Sequence, residues 1–275
     1  MPRRGAIDGI AVGVLTVSFP CLADTIGSNS PNGLGSRLLQ RDPSVLKNNV
    51  FNVPPKAQVY PDFCRGDWNV KSSFKGFLFP SKIISRDAVT SDFGIAGFQK
   101  CSIAATADVG KENVEYKWSV DAKSGLEERK SNFKSAIDGY LGYSAVKEVI
   151  YDASANPNRI SIDFIDYKTV NAERIELFCN ARESETYRAS DDSLVFVCSE
   201  SVRQVSFGTG NVAGIPRQVS TNYCNYWTWR QLSDGKMVGN LLTTAYLDPQ
   251  DPLYFKETTQ PVAVYRHLLE AKRIE

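Results

Sequence analysis

From Cys64 to near the C-terminus, apolar and polar residues alternate with a period of two. Val114, Tyr116, Trp118 and Val120 alternate with Glu115, Lys117 and Ser119, and Ile160, Ile162 and Phe164 alternate with Ser161 and Asp163. Successive side chains on a strand point to opposite faces, so each such segment predicts a strand with one apolar and one wet face. Further strands are expected at about 95–107, 145–152, 171–182, 194–206, 217–231, 236–248 and 261–273. The Asp-Gly pair in Ser233-Asp234-Gly235-Lys236 supplies the positive φ of a tight hairpin, and Asn156-Pro157-Asn158 marks another turn. One segment departs from the rhythm. Between Ser131 and Leu141, residues Phe133, Ile137, Tyr140 and Leu141 recur at helical spacing, with Ser131 as the expected N-cap. Such a helix is expected to close one mouth of a barrel. About ten strands, one short helix and no parallel crossover predict an all-β, antiparallel up-and-down barrel, closed or nearly so, because closure removes sheet edges. A two-sheet β-sandwich is the alternative.

The N-terminus does not share this rhythm. Arg3-Arg4 precede an apolar run from Ile10 to Phe19, and Cys21-Leu22-Ala23 places small residues where a signal peptidase cuts. Residues 1–23 therefore predict an export signal, and the paired arginines point to the twin-arginine route. The apolar run is too short for a bilayer core of about 30 Å, and no other segment is longer. Residues 24–60, rich in Gly, Ser, Asn and Pro, are expected to form a flexible linker that lies on the barrel or stays mobile. Leu38, Leu39, Val50 and Phe51 would pack against the outside. Residues 61–275 are expected to form the barrel domain. With 32 basic and 31 acidic side chains and a net charge of +1, the 275-residue chain carries no electrostatic footprint for nucleic acid.

Candidate chemistry is sparse. His267 is the sole histidine, which excludes multi-histidine metal sites. No Walker loop, dinucleotide fingerprint or G-x-S-x-G elbow is present. The acidic pairs Glu127-Glu128 and Asp191-Asp192 are expected to be solvated surface. The last strand places Ala263, Tyr265, His267, Leu269 and Ala271 on its more apolar face. His267 is therefore expected to point inward, where a neutral imidazole can ligate haem iron. Six cysteines are present, one of them inside the export signal. Cys179 and Cys198 lie on consecutive strands about equidistant from Tyr187–Ser190, in phase with Leu177 and Phe196. They are expected either to form a cross-strand disulfide or to remain as two buried thiols; Cys64 with Cys101 is a weaker pair. In the aromatic strand Tyr223–Arg230, residues Tyr223, Trp227 and Trp229 share one face, and Tyr226 and Arg230 the other. Interior aromatics suit an apolar ligand, and they equally serve to fill a solid barrel. Arg203, Arg217 and Arg230 are candidates to anchor a ligand carboxylate or head group.

Gly66-Asp67-Trp68 begins the first long strand. Many small ligand-binding barrels begin with Gly-x-Trp, the glycine allowing close backbone approach and the tryptophan plugging one end. With Ala136–Gly142, Asn156–Ile160 and Pro261–Arg266 following in order, residues 64–273 resemble an uncharacterised family shared by cyanobacteria and plastids, a domain of unknown function. The resemblance implies a lipocalin-like (calycin-type) barrel and, with the export signal, the thylakoid lumen; a bacterial periplasm is the alternative. More than eight strands and a mid-chain helix depart from the lipocalin pattern. The expected role is binding of a lipid or pigment, with Trp68, Tyr116, Trp118, Tyr223, Trp227, Trp229 and Arg230 around it, or assistance to photosynthetic membrane complexes. A calycin-like enzyme, using Asp163, Tyr116 and His267 if they converge, and a haem barrel through His267 are the alternatives.

Overall fold

Strand pairing organises almost everything after residue 60. The computed structural model of the chain describes residues 26–27, 32–40, 43–48, 54–90, 110–169, 172–212, 215–232 and 235–275. The strands are β1 (Ile26–Gly27), β2 (Gly66–Leu78), β3 (Val114–Val120), β4 (Val146–Ile150), β5 (Arg159–Phe164), β6 (Arg174–Ala189), β7 (Leu194–Val212), β8 (Ile215–Gln231), β9 (Lys236–Tyr246) and β10 (Ala263–Arg273). The helices are α1 (Leu34–Leu39), α2 (Arg86–Thr90) and α3 (Arg129–Leu141). The structure is all-β in class and forms a single antiparallel sheet, in the order β3-β2-β10-β9-β8-β7-β6-β5-β4, with β1 added beside β6. A two-sheet sandwich is thereby replaced by one continuous ladder. The export signal, the strand expected at 95–107, Val50, Phe51 and Cys101 lie outside the described residues.

The ladder joins its first and last long strands, β2 and β10, from Trp68↔Arg273 to Leu78↔Val264. Among the described residues it does not close on itself, because β3 and β4 form its two ends. The sheet nevertheless curls strongly. Trp118 on β3 stacks on Trp229 of β8 with ring centroids 5.4 Å apart, although three strands separate β3 from β8 in the ladder. A flat sheet would hold such strands about 19 Å apart at ordinary strand spacing.

Helix α3, which the chain runs between β3 and β4, occupies the gap between the two edges. On the β3 side the Asn132 side chain accepts from Ser119 N (2.8 Å) and donates to Ser119 O (2.9 Å), and Ser135 Oγ accepts from Lys117 N (2.8 Å). On the β4 side Asp138 accepts from Ala145 N (2.8 Å) and Val146 N (2.9 Å), while Lys134 donates to Val146 O. Helical side chains thus satisfy edge groups that a neighbouring strand would otherwise pair. A Cβ on Gly139 would sit 2.7 Å from the Glu115 carbonyl oxygen, so glycine is what lets the helix lie this close to β3. The helix therefore lines a seam along the sheet, where the sequence predicts a plug across one mouth. It also starts earlier than expected: Glu128 is the N-cap, without a side-chain bond, and Ser131 Oγ instead donates to Glu128 O (3.0 Å). Gly142, at φ +80°, ends it in a left-handed C-cap.

The described part of the arm lies on the outer face. Leu34 and Val45 pack with Tyr187, Val195, Val197, Tyr226 and Tyr246, and the hydroxyls of Tyr226 and Tyr246 donate to Val45 O and Leu46 O, each at 2.6 Å. Residues 54–60 then cross an end of the sheet. Asn158 Nδ2 donates to Pro55 O (2.8 Å), Arg182 to Lys56 O, and Tyr60 N to Gly125 O (2.8 Å).

Candidate functional site

The inner face of the curled sheet and α3 surround a cavity of about 160 Å³. Strand alternation places Tyr116 and Trp118 of β3, Tyr223, Asn225, Trp227 and Trp229 of β8, Leu241 and Thr243 of β9 and Tyr265 of β10 on its wall. Helix α3 contributes Phe133, Ala136, Ile137 and Tyr140, and the crossing segment contributes Tyr60. Tyr116, Trp227 and Leu241 point inward yet keep intermediate exposure, so the space between them is hollow. The rings are held in place by polar contacts and by one another. Tyr60 stands edge-on to Trp118 at 5.3 Å, Trp118 Nε1 donates to Glu127 (3.2 Å), and Tyr140 Oη donates to Ser72 (2.8 Å).

A buried ion network forms one side of the wall. Arg129 pairs with Glu200 and, at 3.3 Å, with Glu127; Arg182 Nε meets Glu200 at 2.7 Å. Their side chains are 4–14% exposed: Arg182 4%, Arg129 6%, Glu200 8%, Glu127 14%. Burial alone would raise the Glu200 carboxyl, but Arg129 and Arg182 outweigh it and hold the group below its ordinary value. Burial likewise opposes the charge on Arg129, and Glu200 and Glu127 more than restore it. Burial drives the Tyr60 and Tyr116 hydroxyls well above the ordinary phenol range, leaving both neutral. Glu127 is thus part of the interior, unlike the solvated surface expected for the Glu127-Glu128 pair; Glu128 is exposed, as are Asp191 and Asp192.

The sequence candidates divide. Tyr116, Trp118, Tyr223, Trp227 and Trp229 meet around the cavity. Trp68 is buried beside it in the core shared with Trp118 and Trp229. Its Nε1 donates to Cys64 O (2.8 Å), and the Arg273 guanidinium lies over its ring at 4.5 Å. Gly66 (φ +101°) leaves the passage for that arginine, since a Cβ there would be 2.6 Å from Arg273 Nη1. Arg230 lies away from the cavity, bound to Ser193 (2.8 Å) and Asp191 at the β6–β7 turn. Arg203 is exposed and donates to Ser220, and the Arg217 side chain lies outside the described residues.

Asp163, Tyr116 and His267 do not converge. Asp163 pairs with Arg174 at 3.7 Å, and His267 is fully buried behind the cavity wall. Phe74, Tyr265 and Tyr140 stand edge-on around its imidazole at 5.6, 5.8 and 6.3 Å. Among the described residues no group of three or more His, Cys, Asp or Glu side chains is placed to hold a metal ion.

Cys179 and Cys198 are free and buried, so of the two expectations the thiols are found and the disulfide is not. Cys179 sits opposite Val202, and Cys198 opposite Ser184. The turn falls at Ala189–Ser193, where Ala189 N donates to Ser193 O and Asp192 N to Ala189 O. That is later than the midpoint the pairing of the two cysteines requires.

The charged network escaped the sequence reading for a traceable reason. Glu200 follows Cys198 and precedes Val202 on the inward phase of β7, so a charge on an apolar face was a usable signal. Arg182 was not visible, because a bulge between Cys179 and Ala181 shifts β6 by one residue and turns Arg182 inward opposite Glu200.

Among the described residues no helix is long and apolar enough to cross a membrane. No curated protein matches the chain in sequence. The model of one protein family, described as a domain of unknown function (DUF6816), matches residues 53–275 and so takes in β2–β10 and α3 but not α1. The chain therefore belongs to the DUF6816 family.

Proposed function

We propose that this chain is a barrel-type binding protein for an apolar ligand, a lipid or pigment, with α3 serving as the stave between β3 and β4. The observation that carries the reading is the aromatic face of β8, turned toward a hollow instead of a solid core. A cavity of about 160 Å³ is close in size to an engineered apolar cavity that admits benzene. It therefore suits one ring or a short apolar segment of such a ligand. The Arg3-Arg4 start and the small-residue exit at Cys21–Ala23 support export to the thylakoid lumen or a periplasm, a placement that fractionation of the source cells tests.

Native mass spectrometry and organic extraction of protein purified from its source test the binding itself. A stoichiometric small apolar molecule is expected, and it is expected to be absent from Ala136→Phe, which fills the cavity from α3. Recovery of a ligand-free chain in repeated preparations, or full ligand retention by Ala136→Phe, would sink the proposal.

A further inference from the structure

We infer that the cavity takes an uncharged ring compound bearing a hydroxyl or N–H donor, and that it rejects carboxylates of the same shape. This inference rests on the binding reading above. The charged groups on the wall are Glu127, Arg129 and Glu200, and Arg182 joins them through Glu200 at 2.7 Å. Two guanidinium groups thus face two carboxylates, and the buried network is balanced without a ligand. A carboxylate entering this site would lose its hydration and find Arg129, the cation on the wall, already paired with Glu127 and Glu200. Arg182 Nη2 has no partner, but that side chain does not line the cavity, so the desolvation of the carboxylate would go uncompensated. A ligand cation would meet the same balance from the other side.

The wall also carries a neutral polar side chain with an unmet acceptor. Asn158 lines the cavity, and its Nδ2 donates to Pro55 O at 2.8 Å, which fixes the orientation of the amide. That orientation leaves Oδ1 buried without a hydrogen-bond partner. An unmet buried acceptor is satisfied by a donor such as a phenolic O–H. The arginines that the sequence offered as carboxylate anchors do not alter the balance, since Arg230 and Arg203 lie outside this wall.

Three probes of one shape test the inference on the full chain at neutral pH by quenching of tryptophan fluorescence: p-cresol, which is un-ionised, p-toluate, which is anionic, and p-xylene, which lacks the hydroxyl. p-Cresol is expected to bind at least about tenfold more tightly than p-toluate, a modest margin beside the cost of burying an ion. It is also expected to bind at least as tightly as the more apolar p-xylene. A smaller margin over p-toluate overturns the exclusion of anions, and tighter binding of p-xylene overturns the Asn158 contact. Either result leaves ring binding itself intact, whereas binding of none of the three overturns both readings. In Glu200→Gln the two arginines gain uncompensated charge, so the margin over p-toluate is expected to shrink below tenfold. Glu127→Gln, at the more exposed end of the network, makes the same test if Glu200→Gln does not fold. An unchanged margin in the folded variant counts against the charge-balance argument.

Discussion

Arg182 and Glu200 show how one displaced residue sets the character of an interior. The bulge in β6 brings Arg182 opposite Glu200, and Arg129 reaches the same carboxylate from the start of α3. Removing one member strands the others in a medium that solvates charge poorly. Arg129→Met is therefore expected to destabilise the fold by about 3–5 kcal/mol, the range for breaking a buried pair, measured by urea denaturation; a loss under about 1 kcal/mol would show that the network is solvated. The pH dependence follows from the same contacts. Glu200 has its carboxyl lowered from an ordinary value of 4.5. Its contribution is thus complete above that value and is lost as pH falls through the lower folded one. Stability measured across the acid range is expected to lose part of this decline in Glu200→Gln. An identical acid profile in the variant would mean that the carboxyl titrates as it does in the unfolded chain.

Helix α3 does for two sheet edges what strands do elsewhere. Its apolar residues Phe133, Ile137 and Tyr140 face the cavity, and its polar residues Asn132, Ser135, Lys134 and Asp138 meet backbone groups of β3 and of the segment entering β4. This double use explains why the helical spacing was readable whereas the helix's position was not, since the partners of Asn132 and Asp138 are backbone atoms that carry no sequence signature. Asn132→Ala removes both bonds to Ser119 and is expected to cost about 2–3 kcal/mol, within the range for leaving buried backbone groups unmet. Amide exchange at Ser119 should accelerate with it, and unchanged protection there would argue against the stitching role.

The buried thiols give a second measurement at this scale. Burial pushes Cys179 up to about 12 and Cys224 to about 11, and drives Cys64 and Cys198 well above the ordinary thiol range. Thiolate is the nucleophile, so peptide mapping after brief iodoacetamide treatment is expected to find these four cysteines unlabelled in the native protein and labelled in urea.

At the scale of the molecule, the described part of the arm is held to the sheet by outer-face contacts. The family match begins at residue 53, and α1 with the turn at Pro43–Leu46 touches the outer face through Leu34, Val45 and two tyrosine hydroxyls. Tyr226→Phe and Tyr246→Phe are each expected to cost about 1 kcal/mol, the net worth of one hydrogen bond. The pair together should speed proteolysis within residues 32–48 while the circular dichroism of the sheet is unchanged; loss of the sheet signal would show that the arm is part of the folding unit. The period-two alternation by itself determined the class, the strands from β2 through β10 that fall within the described residues, the inward face of β10 and the shared face of Tyr223, Trp227 and Trp229. Those are properties of neighbours along one strand, where side-chain direction follows directly from the pleat. Tertiary structure alone decided which strands end the described ladder, where α3 lies, that Cys179 and Cys198 do not face each other, and that Glu127, Arg129, Arg182 and Glu200 form one buried network. Each of those depends on register, on a bulge, or on the curl of the whole sheet, and a shift of a single residue reverses the face that a strand presents.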